Sequence, residues 1–97
     1  MNGFYLVGRI IGSPEKAETA SGLPLCRLKL RVNKGGRDAE DGSEIFEVAL
    51  FRSLAEADYQ EGQMIAISGR LQANNFEKED TVYYHINLIG NSVTIVS

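Results

Sequence analysis

From Ser43 to Phe76 the chain reads as strand, short helix, strand, and this order constrains the fold more than any other feature of the sequence. Glu44 to Arg52 alternates, with Phe46, Val48 and Leu50 on one face and Ile45, Glu47, Ala49 and Phe51 on the other. A period of two puts successive side chains on opposite faces of a sheet. Ser53 to Gln60 has a different character. Ser53 followed by Glu56 has the spacing of a capping box, in which a hydroxyl and a carboxylate satisfy free amides of a first helical turn. Leu54, Ala55 and Ala57 suit one or two turns, and Gly62 is a natural stop. From Met64 the alternation resumes, with Ile65, Ile67, Gly69 and Leu71 opposing Ala66, Ser68, Arg70 and Gln72. A lone helix in a chain otherwise made of strands predicts an all-β Greek-key barrel. It would have five strands, with one short helix between strands 3 and 4.

The remaining segments fit that plan. Phe4 to Gly12 is an apolar strand with one internal charge, Arg9, and Ser13-Pro14-Glu15 reads as a turn or loop. Lys16 to Ser21 is polar and fits either a twisted edge or a loop. Leu25 to Val32 is the cleanest alternation, setting Cys26, Leu28, Leu30 and Val32 against Arg27, Lys29 and Arg31. Asn33 to Ser43 is a polar hairpin tip, basic at its start and acidic at its end. Asn74 to Thr81 reads as a second polar excursion, with Phe76 alone among polar residues. Val82, Tyr84, Ile86 and Leu88 are expected inward and Tyr83, His85 and Asn87 outward. After a bend at Gly90 and Asn91, Ser92 to Val96 forms a short last strand. Residues 1–97 make one domain, large enough for a single core.

Several function classes fall away. No apolar run approaches the roughly 20 residues that span a bilayer, and no charged-then-apolar leader opens the chain, so a cytoplasmic protein with no membrane partner is expected. Cys26 is the sole cysteine and His85 the sole histidine, which excludes an intramolecular disulfide and a Cys/His zinc site within one chain. Cys26 reads as a small core residue. Gly35-Gly36 lacks phosphate-loop spacing, and there is no Gly-x-Ser-x-Gly elbow. Glu77, Glu79 and Asp80 read as a solvated loop in preference to a metal site. Neither enzymatic activity nor a cofactor is expected.

Charge and aromatics point to a binding face. The net charge is −3, but residues 1–37 hold seven bases and two acids, whereas 38–97 hold three bases and eleven acids. A local patch, and not the total, sets the field that a partner meets. Phe51 shares a face with Ile45, Phe76 falls in phase with Arg70, Gln72 and Asn74, and Tyr83 and His85 share a face. Brought together, these would form a platform on which nucleobases stack, with Lys29, Arg31, Lys34, Arg37, Arg52, Arg70 and Lys78 tracking phosphates. The alternatives are a solvated outer face for the basic strand and core or subunit packing for Phe51 and Tyr83. His85 is expected as a surface strand residue or a stacking partner.

Several pieces together resemble the bacterial single-stranded DNA-binding protein family. They are Leu6-Val7-Gly8-Arg9-Ile10, the Ser13-Pro14-Glu15 turn, and Ser21-Gly22 before an alternating strand. They continue with Phe46-Glu47-Val48-Ala49-Leu50-Phe51, Leu54-Ala55-Glu56, and Gly62 before a strand closing in Gly69-Arg70-Leu71-Gln72. The resemblance implies an OB-fold barrel forming homodimers or homotetramers, commonly through the first strand. It also implies sequence-independent binding of single strands in replication, recombination and repair, with replication or recombination proteins as further partners. The family's stacking positions fall at Ile45, Phe51, Phe76 and near Gly36, of which Phe51 and Phe76 are aromatic here. Glu47, Gln72, Asn74 and Asn75 stand where the family often has cations, and Arg37 is retained. With Ser97 last, a short form lacking the family's acidic C-terminal tail is expected. Ser21-Gly22-Leu23-Pro24 also resembles the primosomal replication protein N family, which shares the barrel. A third alternative, an OB module that binds protein alone, suits the acidic second half.

Overall fold

The computed structural model describes residues 1–33 and 42–97. The elements follow as β1 (Phe4–Glu18), β2 (Pro24–Asn33), β3 (Ser43–Phe51), α1 (Ser53–Glu56), β4 (Met64–Lys78) and β5 (Thr81–Ile95). They close into a barrel in the order β1-β2-β3-β5-β4, with β4 pairing back onto β1. The β3–β5 contact is parallel, at Val48 with Leu88 and Ala49 with Ile89, and the other pairs are antiparallel. A tight turn cannot join parallel neighbours, so α1 and β4 carry the chain across between them.

The alternation of the sequence sets what is inside. Ile10, Cys26, Leu28, Leu30, Val48, Leu50, Ile65 and Ile67 fill the barrel, joined by Ala55 and Tyr59 from the helical segment. Leu54 packs against the same cluster. The Tyr59 hydroxyl donates to the Leu54 carbonyl at 2.8 Å, satisfying a polar group that burial would otherwise strand. The Lys16 ammonium donates to the Ala55 and Ala57 carbonyls and lies 5.7 Å from the centroid of the Tyr59 ring. This ties the far end of β1 to the helical turn.

Several local expectations are corrected. The capping box does not form: Arg52, at φ 60°, is the N-cap without a side-chain bond, and Ser53 is already helical. With Arg52 at the N-cap, Ser53 is one position too far along for its hydroxyl to play the capping part. The Ser13-Pro14 segment does not end the first strand; β1 runs through it, with its pairing to β2 shifted between Ile11 and Glu15. A bulge absorbs the missing proline donor. Asn74 to Thr81 is not an excursion, because β4 continues to Lys78 and β5 begins at Thr81. The turn is Glu79-Asp80, both at positive φ (53° and 66°), the geometry of a two-residue hairpin turn that usually advertises itself with glycine or asparagine. Finally, Val82, Tyr84 and Ile86 are not inward: they are 47%, 76% and 66% exposed. Their alternation against Tyr83, His85 and Asn87 holds, but this half of the β4–β5 hairpin projects beyond the barrel and has no core to face. Only Leu88 packs against it.

The last strand is continuous as well. Ser68 pairs with Ser92 and Gly69 with Gly90, leaving Asn91 as an extra residue where a bend was expected. A Cβ on Gly69 would overlap the Ile89 carbonyl, and one on Gly90 would lie 2.5 Å from Leu50 Cδ2 and 2.7 Å from Ile67 Cδ1. The bulge and the two glycines let β5 coil against β4 as the barrel closes.

Gly69→Ala is therefore expected to destabilise by about 2–4 kcal/mol, lowering Tm by roughly 10 °C or more, whereas Ser68→Ala shifts it little. Thermal unfolding by circular dichroism measures both. A pH effect follows from the core. Burial pushes the Cys26 thiol above its ordinary value of 9.0, opposed by nearby Lys16, and burial, with the Cys26 charge second, pushes the Tyr59 phenol above 10.0. In both, the native state holds its proton where the unfolded chain has released it. Their stabilisation is thus complete below about pH 9 and is lost as pH rises through the folded values. Cys26→Ala should flatten the first part of that decline in Tm between about pH 9 and 10; an unchanged slope would exclude Cys26 as its source.

Candidate nucleic-acid interface

Strand register assembles one outer face across β2, β3, β5 and β4. On β2 this phase holds the buried Leu25 and the exposed Arg27, Lys29 and Arg31, paired with Phe51, Ala49, Glu47 and Ile45 of β3. Ala49 is level with Ile89 of β5, and Ile89 with Arg70 of β4. Beyond this point the hairpin continues the face through Gln72 and Asn87, Asn74 and His85, Phe76 and Tyr83, and Lys78 and Thr81. Between the hairpin and the β2–β3 pair lies a groove of about 760 Å³, lined by Leu25, Arg27, Ile45, Phe51, Gln72, His85 and Ile89 among others. Its walls are mixed, with Leu25, Ile45, Phe51 and Ile89 beside Arg27, Glu47, Gln72 and His85.

The aromatic residues form a short ladder. Phe76 and Tyr83, 44% and 45% exposed, stack across the strands with centroids 5.1 Å apart and planes 16° apart. The imidazole of His85 follows at 6.0 Å from Phe76, also at 16°. The stacked rings remain partly exposed to solvent, the kind of aromatic surface beside which a base can add. Charge borders it. Lys78 ends the β4 side, Arg70 lies at the barrel end, and Lys29 and Arg31 are exposed on β2. Arg27 Nε lies 3.9 Å from Glu47 Oε1, the one salt bridge among the described residues.

The expected site residues thus divide. Phe76, Tyr83, Lys29, Arg31, Arg70 and Lys78 share the outer face, and Phe51 is half-buried at the end of the groove, opposite Leu25. Arg52 is exposed where the chain turns from β3 into α1, at the edge of the platform rather than on it. Lys34 and Arg37 lie outside the described residues. Arg27, Leu25, Gln72, Asn87 and Ile89 line the groove, though none was among the residues expected to stack on bases or track phosphates. Their phase along each strand was the available signal. Ile45, exposed on the face, stands as an aliphatic surface where an aromatic was expected from the resemblance.

A closed five-stranded barrel with a helical turn between strands 3 and 4, carrying an outer sheet face with aromatic and basic groups, is an OB fold with a nucleic-acid-binding type of surface. The family described as "Single-strand binding protein family" matches residues 1–96, and the chain belongs to it. It is 31% identical over 90 residues to single-stranded DNA-binding protein B of Bacillus subtilis (strain 168), covering 88% of this chain and 80% of that protein. Two solved structures show the same fold. One is the crystal structure of a deletion mutant of the single-stranded DNA binding protein from Thermus aquaticus (TM-score 0.79, 22% identity), covering 100% of this chain and 51% of that one. The other is the dimeric N-terminal domain of PriB protein from Thermoanaerobacter tencongensis (TM-score 0.72, 14% identity), covering 99% and 97%.

Because the ladder stands outside the core, Phe76→Ala is expected to reduce stability by about 1 kcal/mol or less, the scale of one cross-strand aromatic pair. Leu28→Ala, in the barrel interior, should cost about 2–5 kcal/mol. Urea unfolding of both variants checks the contrast.

Proposed function

We propose that the chain binds single-stranded DNA without sequence preference, serving DNA replication, recombination or repair in the cytoplasm. The observation that carries this reading is the Phe76–Tyr83–His85 ladder, set by register on the same face as Lys29, Arg31, Arg70 and Lys78. Bases stack on the rings and on Phe51, each contributing about 1–3 kcal/mol whatever its identity, since every base has a π-face. The cations follow the backbone and release counterions. Nothing in this scheme makes or breaks a covalent bond, so the role is binding and not catalysis. Assembly into homodimers or homotetramers fits the exposed Tyr5 and Val7 on β1, an apolar surface open to pairing with a second copy.

A primosome-type accessory role is the second reading. It draws on the Ser21-Gly22-Leu23-Pro24 segment and on the barrel fold shared with the PriB domain. Replication or recombination proteins would then be further partners of the same barrel.

Fluorescence anisotropy of labelled oligo-dT, with duplex DNA of equal length as control, tests the proposal directly. Salt-sensitive binding to the single strand is expected, and Phe76→Ala should weaken it by about 1–3 kcal/mol. Charge reversal of Lys29 and Arg31 together should flatten the salt slope by about 1.4, at roughly 0.7 per phosphate on single strands. No binding at low salt would refute the reading and direct attention to a protein ligand.

A further inference from the structure

Among the described residues, Glu47 is the one carboxylate on the outer face of β2, β3, β4 and β5. It is set among that face's cations. Register puts it level with Lys29, and its Oε1 lies 3.9 Å from Arg27 Nε. On the other side of Arg27, β1 contributes Glu15 at the same level. These four charged residues line a second cavity of about 340 Å³, bounded by the Gly12–Pro14 bulge of β1. Arg27 and Glu47 also line the large groove, so the pair lies at the junction of the two hollows.

We propose that Glu47 is an affinity-setting residue of the binding face, an internal stand-in for a phosphate that competes with the DNA backbone for Arg27. The inference rests on the single-strand-binding reading. A carboxylate offers a guanidinium the same anionic oxygens as a phosphate, and Arg takes either. The Arg27 and Glu47 side chains are 50% and 56% exposed, so water screens the pair and it adds little to folding. An exposed, weakly held pair is readily exchanged. A phosphate entering the junction displaces the Glu47 carboxylate, so Arg27 trades one anionic partner for another with little net change in energy. The displaced charge then repels the backbone beside Lys29. Glu47 thereby removes Arg27 from the cations that drive binding, which leaves affinity more dependent on stacking than the basic composition of β2 implies.

The experiment compares wild type, Glu47→Gln, Arg27→Gln and the double variant, titrated onto labelled oligo-dT at several salt concentrations. Glu47→Gln preserves size and hydrogen-bonding capacity while removing the charge. It is expected to bind about tenfold more tightly at low salt and to steepen the salt slope by about 0.7, one additional neutralised phosphate. Arg27→Gln should change little in the wild-type background and abolish the gain in the Glu47→Gln background. Glu47→Thr, which suits a strand and also lacks the charge, should reproduce the gain; folding of every variant is checked by thermal unfolding. Wild-type binding with unaltered affinity and slope in both Glu47 variants would overturn the inference and leave the functional reading standing. A gain that persists in the double variant would overturn the exchange with Arg27. No binding by wild type or any variant would refute the functional reading itself, and this inference with it.

Discussion

Closing the barrel depends on a close approach of two backbones, Gly69 on β4 and Gly90 on β5, beside the extra residue Asn91. Side chains at these points would meet the Ile89 carbonyl on one side and Leu50 and Ile67 on the other. With the approach made, β5 can pair with β4 along its length and still reach β3 in parallel at Val48 and Ala49. Those contacts complete the enclosure of Leu28, Val48, Leu50 and Ile67. A barrel that leaves no open edge buries its apolar faces and pairs its backbone groups in the same step.

The same coiling carries the β4–β5 hairpin away from the core, and the composition of the hairpin follows. Residues from Gln72 to Asn87 are exposed on both faces, so burial places little demand on them. The strands are held by ladder hydrogen bonds and by cross-strand contacts, among them the stacks of Phe76 with Tyr83 and with His85. Aromatic rings in such a place bring little to the barrel and much to its surface. The close packing at Gly69 and Gly90 anchors the base of the hairpin, and its rings stay partly exposed to solvent.

Most of the barrel was legible because period-two alternation maps directly onto burial wherever a strand has one wet face. Cys26, Leu28, Leu30, Val48, Leu50, Ile65 and Ile67 are buried in the core, and Val32 packs against it, as their phase requires. The same logic misled at Val82–Ile86, since alternation reports only that two faces differ and not that either meets a core. The Glu79-Asp80 turn was hidden because its positive φ angles are held by residues that seldom mark a hairpin. Ser53 failed as a cap because the helix is one turn long and begins at it. On the face itself, phase grouped Phe76 with Arg70, and Tyr83 with His85, but joining those two groups needed the register between β4 and β5. Arg27 and Glu47 were legible as outward residues, yet their proximity depends on a diagonal across β2 and β3 that no single strand reveals.

A net charge of −3 does not oppose binding to a polyanion when the charges are sorted by the fold. Screening in salt of about 0.15 M limits an exposed charge to roughly 8 Å, so an acid elsewhere on the barrel scarcely reaches a strand lying along β2 and the hairpin. An acid on the face itself is different, and Glu47 is there. The balance on this face therefore shifts from charge toward stacking: Arg27 is engaged internally, Ile45 offers only aliphatic contact, and Phe76 with Tyr83 carries the exposed π-surface. Stacking energy is far less sensitive to salt than counterion release is. On the proposed reading, a face built this way holds a single strand by its bases more than by its backbone, and duplex DNA, whose bases are already stacked on each other, is the poorer ligand.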